Sequence, residues 1–119
     1  MPNTKSVGVA YSDPALSAFY LNAPVTKTAS FTLGEDENYV VANGASANVT
    51  VTLPSGAAYI GRTVTIKNLS GTYTVVSASS NVKPRTTSTA GTAILAATAG
   101  AWAMLVCEDG TNWVVMTGT

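Results

Sequence analysis

The residues in this chain that could do chemistry are few, and their spacing does not bring them together. Histidine is absent, which removes both the commonest general base at neutral pH and the commonest zinc ligand. The single cysteine, Cys107, ends the apolar run Met104, Leu105, Val106 and has no intrachain partner, so it reads as a buried, inert thiol. The acidic group Glu35, Asp36, Glu37 offers carboxylate oxygens of the kind calcium takes. Three consecutive acids in a turn do not converge on one point, however, and the alternate spacing of a calcium loop is missing, so a solvated hairpin tip is the expectation. Arg62, Lys67, Lys83 and Arg85 are separated and carry no aromatic interleaving, which suits solubilising or rim positions. Trp102 and Trp113 could stack on a sugar ring, but strand tryptophans beside valine and methionine read as core or interface anchors. With no glycine-rich phosphate loop, paired carboxylates or Ser/His/Asp set, we expect no catalytic residue, no metal and no cofactor: the chain does not read as an enzyme.

Something else must therefore be the purpose of the fold, and the composition narrows it. Six Lys plus Arg balance six Asp plus Glu, giving zero net charge and no basic field to neutralise a phosphate backbone. Nucleic acid is not an expected partner. Charged residues make up 10% of the 119 positions while hydrophobic residues reach 46%. Threonine, alanine, valine and serine supply 61 of the 119 (18, 18, 14 and 11), so hydroxyls must cover the surface that charges usually cover. This is β-sheet material with small side chains. The 22 uncharged residues between Arg85 and Glu108 are broken by threonine and serine, and their strongly apolar part, Ala93 to Cys107, is shorter than the roughly 20 residues a spanning helix needs. No membrane span is expected. The first 25 residues show no continuous apolar stretch of a secretory signal, so folding in a cytoplasm is expected.

The elements that must position these residues follow from periodicity. Residues 1 to 27 hold three of the five prolines, Pro2, Pro14 and Pro24, among short apolar groups. They read as an extended attachment arm, with Val7, Val9, Tyr11, Phe19, Tyr20 and Leu21 as its partner-binding anchors. From residue 28 to 119 the period is two, and an all-β domain is expected: an antiparallel β-sandwich or jelly-roll-like domain. Phe31 and Leu33 lead through Gly34 to Asn38 into Tyr39, Val40 and Val41, which suggests a first hairpin. Asn48 to Leu53 is a clean strand ended by Pro54, and Ala57 to Gly61 suits one helical turn. Thr63 to Lys67 then turns at Asn68 to Gly71 towards Tyr73 and Val75, a second expected hairpin. Ala101 to Cys107 and Trp113 to Met116 read as antiparallel partners joined by Glu108 to Thr111. Both faces of the former are apolar, so it should be central in a two-layer sandwich or covered by another subunit. Ile66, Trp102, Met104 and Trp113 are the expected core or subunit-interface residues. No internal repeat of 20 to 50 residues is evident.

Three segments in fixed order, Val51-Thr52-Leu53-Pro54, Gly61-Arg62-Thr63-Val64-Thr65-Ile66-Lys67-Asn68 and Glu108-Asp109-Gly110-Thr111-Asn112-Trp113-Val114-Val115, carry a likeness. They resemble a β module of tailed-bacteriophage virion proteins, found at the ends of tail fibres and tailspikes and in small head fibre or capsid decoration proteins. The likeness covers residues 48 to 116. It implies a virion structural protein with no active site, located on the outer surface of the phage head and made in the host bacterial cytoplasm. It also implies the major capsid protein as partner and self-association as a trimer. A short chain without shaft or attachment domain favours a decoration or cement protein that links neighbouring capsid subunits. The alternative is a short tail or head fibre module that binds a host-surface glycan.

Overall fold

The computed structural model describes residues 22–119, and the arm anchors Val7, Val9, Tyr11, Phe19, Tyr20 and Leu21 lie outside the described residues. Ten strands form two facing sheets, as expected of an all-β sandwich. They are β1 (Val25–Lys27), β2 (Phe31–Thr32), β3 (Tyr39–Ala42), β4 (Val49–Thr52), β5 (Thr63–Asn68), β6 (Val75–Ser77), β7 (Val82–Lys83), β8 (Ala93–Leu95), β9 (Trp102–Cys107) and β10 (Trp113–Gly118). The larger sheet has the order β1-β3-β5-β9-β10-β7 and the smaller β2-β4-β6-β8. A 3-10 turn over Ala57–Tyr59 supplies the single helical turn expected there. The first strand begins at Val25, inside the span read as arm.

The winding differs from the expected one. From β1 to β6 the chain crosses to the opposite sheet at every step, so neither expected early hairpin forms: β2 and β3 face each other across the sandwich, as do β5 and β6. Strands two apart in sequence pair instead, and they pair in parallel: β1 with β3, β3 with β5, β2 with β4, β4 with β6. The result is three stacked turns of a two-sided solenoid. Direction reverses after the third turn, because β8 adds to β6 and β9 to β5 antiparallel. The β9–β10 hairpin forms as expected, pairing Trp113 with Cys107, Val114 with Val106 and Val115 with Leu105, and β9 is central in its sheet.

Alternation decides which residues fill the space between the sheets. Val40, Ile66 and Ala103 form one inward row of the larger sheet, and Val49, Val75 and Leu95 one of the smaller. All six are buried, together with Val51, Val64, Leu105, Cys107 and Trp113. The opposite parity puts Thr52, Thr63 and Lys67 into solvent. At the start of the stack the strands shorten to three and two residues in β1 and β2. Pro24, which has no N–H to offer a further strand, sits just ahead of β1, so the open edge is blunted.

Candidate interaction surface

The residues that carry the phage-like pattern converge. Trp113, fully buried, donates its indole Nε1–H to the carbonyl of Pro54 at 3.1 Å. Two residues further on, the Gly56 N–H donates to the carbonyl of Gly110 at 2.6 Å. The Gly61 N–H reaches the Cys107 carbonyl at 2.8 Å, and the Cys107 N–H returns to Arg62 at 2.9 Å. The proline stop, the glycine-arginine turn and the β9–β10 loop are thus tied into one corner of the domain. Asn68 closes the third turn of the solenoid from inside: its Nδ2 donates to the carbonyls of Tyr73 and Ala96, both at 2.9 Å, while its Oδ1 accepts the Ser70 N–H at 3.0 Å. Among the sequence candidates, Ile66 and Trp113 are core residues.

The acidic group is also structural. It lies not at a hairpin tip but at the corner where the chain crosses from β2 to β3, and its carboxylates diverge. Glu35 accepts the Tyr59 hydroxyl at 2.6 Å, which raises the Tyr59 phenol above its ordinary range. Glu37 accepts the Gly34 N–H at 2.8 Å and pairs with Lys27 at 2.8 Å. The Lys27 bond, then the Gly34 N–H, hold the Glu37 carboxyl below its usual value. Arg62 clamps the corner from β5's leading end by donating Nη2 to the carbonyls of Glu37 and Gly34. No group of three potential metal ligands occurs among the described residues. In the β9–β10 loop Asp109 accepts the N–H groups of Thr111 and Asn112 and the Asn112 amide; the Asn112 N–H, then that of Thr111, hold its carboxyl down at about 2.

Among the described residues, no further element packs on the outer face of the larger sheet. Pairing places Val41, Lys67 and Trp102 in one row, Tyr39, Thr65, Met104 and Thr117 in the next, and Thr63, Val106 and Val114 in a third. Trp102 retains 36% of its surface, Tyr39 40%, and Met116, beside an irregularity in β10, 56%. Lys67 and Lys83, which continues the third row beyond Val114 on β7, are the charges in these rows. A groove of about 340 Å³ runs along the β3–β5–β9 side between Pro24, Tyr39, Val41, Thr65, Lys67 and Trp102. Large apolar side chains exposed on one sheet face, here interleaved with threonines, mark a candidate contact surface.

Trp102 and Met104 therefore fall on the outer face, as an interface role requires, while Trp113 points the other way into the core. The two tryptophans cannot form one stacking platform. Sequence reasoning missed the groove, because Tyr39 and Val41 come beside Trp102 only through the parallel pairing of β3 with β5. No helix among the described residues is long and apolar enough to cross a membrane. No protein-family model matches the chain, and no curated protein matches it.

Proposed function

We propose that this chain is a structural protein of a tailed-bacteriophage particle, a decoration protein that binds the assembled head and links neighbouring capsid subunits. The observation that carries the reading is the use made of the quoted pattern. Pro54, Gly61, Arg62, Asn68, Gly110 and Trp113 bond one another or the backbone around them, so the pattern belongs to a scaffold and its chemistry is used up internally. Contact is left to the outer face of the larger sheet and to the arm anchors Val7, Val9, Tyr11, Phe19, Tyr20 and Leu21. A trimer on the head surface suits a chain of zero net charge, because copies crowded on a shell do not repel one another. The reading as a glycan-binding fibre module has less to rest on, since a buried Trp113 leaves Trp102 without a second tryptophan to share a sugar.

Quantitative mass spectrometry of purified particles of the phage that encodes the chain tests this directly. Hundreds of copies per head, set against the major capsid protein, are expected. A few copies confined to tails would replace decoration with a fibre role, and absence from particles would end the virion reading. Rebinding to stripped heads should also weaken strongly when residues 2–12 are deleted.

A further inference from the structure

We propose that Asn43-Gly44, in the crossing from β3 to β4, is a site of spontaneous deamidation and isoaspartate formation, and that the isoaspartate loosens the tie between the first and second turns of the solenoid. The other asparagines among the described residues are engaged through their side chains. Asn22 bonds Asp36 and reaches Asn38, Asn48 accepts the Thr74 N–H, Asn68 holds three backbone groups, Asn81 accepts the Ser77 hydroxyl and Asn112 donates to Asp109. Asn43 is exposed, makes no side-chain hydrogen bond to a described residue, and is the one followed by glycine. The Gly44 N–H likewise donates to no described residue, although its neighbours do: the Asn43 N–H to the Lys27 carbonyl at 2.8 Å and the Ala45 N–H to the Thr28 carbonyl at 3.2 Å. Both reacting groups are therefore free. The glycine is fixed by packing, since a Cβ at residue 44 would come 2.6 Å from the Ala47 carbonyl oxygen and 3.1 Å from the Tyr73 Cβ. Having no side chain, it leaves its nitrogen open to the preceding amide. Asp109 also precedes a glycine, but its carboxylate is held by the Thr111 and Asn112 N–H groups.

The reaction needs only water and base. The Gly44 nitrogen loses its proton to base and attacks the Asn43 Cγ; the Cγ–Nδ2 bond breaks, Nδ2 takes up a proton and leaves as ammonia, and a five-membered succinimide closes. Water then opens the ring at either carbonyl. Opening at Cγ gives aspartate, and opening at the main-chain carbonyl gives isoaspartate, in which the chain runs through Cβ and Cγ. Either product adds a negative charge to a chain of zero net charge. Isoaspartate also inserts one atom into the backbone between two N–H groups that bond consecutive residues of the first turn, Lys27 and Thr28. Ala47 and Tyr73 leave little room for it. One bond has to yield, and the longer, from Ala45 to Thr28, yields first.

Peptide mapping by mass spectrometry of the full chain, held at 37 °C both folded and in urea, tests the site. The folded chain should gain about 1 Da at Asn43, at least about tenfold faster than at any other described asparagine. The rate should rise about tenfold from pH 7 to pH 8, because the glycine nitrogen attacks as its anion. Asn43→Ser should abolish the reaction. An Asn43 that survives in the folded chain and reacts only in urea overturns the site, because the fold would then protect it, and so does a folded-state rate no higher than that of the other asparagines. Ion exchange separates the products, and labelling by an isoaspartyl methyltransferase tells isoaspartate from aspartate. The isoaspartate form should melt at least about 2 °C below the aspartate form, which carries the same charge on an ordinary backbone. Equal melting of the two forms rejects the loosened tie.

Discussion

Asn68 shows how far one side chain can hold this domain. It is a buried amide with three hydrogen bonds, two donated and one accepted, each to a backbone group of a different loop residue. Asn68→Ala leaves two carbonyls and one N–H unpartnered, and should cost about 3 kcal/mol, read as a lower urea midpoint at constant slope. Asn68→Asp keeps the shape but points a carboxylate at two carbonyls. Burial without a donor favours its neutral form, so its folded pKa lies above the unfolded value near 3.9. The native state then binds the extra proton, and stability rises as pH falls from 7 towards 4. Asn68→Ala shows no such rise, and a pH-independent Asn68→Asp would refute the bonding scheme. Asp109 works in the opposite sense. Its folded value of about 2 lies below the ordinary 3.8, so its contribution is present above pH 4 and is lost as pH falls through 2. Asp109→Asn keeps an acceptor oxygen for the Thr111 and Asn112 N–H groups but removes the charge. Its melting temperature should therefore fall less than that of the unsubstituted chain between pH 5 and 2, with Glu37 still contributing to the common part of the loss.

Among the elements, the corner joining the 3-10 turn to the β9–β10 loop makes the sharpest demand on sequence. Gly110 has φ +83°, and a Cβ there would come 3.0 Å from both the carbonyl carbon and the oxygen of Gly56, and 3.2 Å from the Ala57 nitrogen. Gly61 has φ +89° but nothing within 4 Å of a Cβ. Both alanine substitutions incur the left-handed backbone cost of about 1–2 kcal/mol. Only Gly110→Ala adds a backbone clash, of about 1–3 kcal/mol, so it should be clearly the more destabilising in thermal or urea unfolding. Equal effects would mean that the corner is looser than its 2.6 Å Gly56–Gly110 bond implies. The same elements explain what was legible in the sequence. Period two put Val49 with Val51, Val64 with Ile66 and Trp102 with Met104 on shared strand faces, because alternation is a property of each strand alone, but which face of the doubly apolar β9 turns outward was not legible. Pairing partners are not. A turn that reverses the chain within a sheet and a turn that carries it to the facing sheet use the same Gly, Asn and Ser residues, so the expected β2–β3 and β5–β6 hairpins were in fact crossings. The solenoid also escaped notice because its turns are unequal: Val25 stacks on Val40 and Val40 on Ile66, steps of 15 and then 26 residues, which no fixed period reveals. Trp113 was recognisable as a core or interface residue, but its bond to Pro54 was not, because that pairing spans 59 positions.

At the scale of the whole molecule, the outer face of the larger sheet divides in two. Its β3–β5–β9 side holds the groove beside Trp102, lined by Pro24, Tyr39 and Lys67. Its β9–β10 side presents the half-buried Met104, Val106 and Val114 and the exposed Met116, with Lys83 bordering Val114. A chain with only 10% charged residues has little polar surface with which to solvate such a strip, and zero net charge opposes no association. Self-association through this strip is the expected consequence. The phage-like pattern implies that it closes as a trimer, in which each copy contributes the same strip around one axis. Sedimentation of the full chain at micromolar concentration should show about three times the 12.1 kDa of one copy. A micromolar association corresponds to about 8 kcal/mol, and placing two carboxylates on each strip, by Met104→Glu with Met116→Glu, forces like charges together while desolvating them. That variant should run as a folded monomer, its far-ultraviolet spectrum still that of β-sheet, because both side chains point away from the core. A variant that stays trimeric would move the interface to another face, and an unsubstituted chain that is monomeric throughout the micromolar range would reject self-association and leave this strip to the proposed capsid contact.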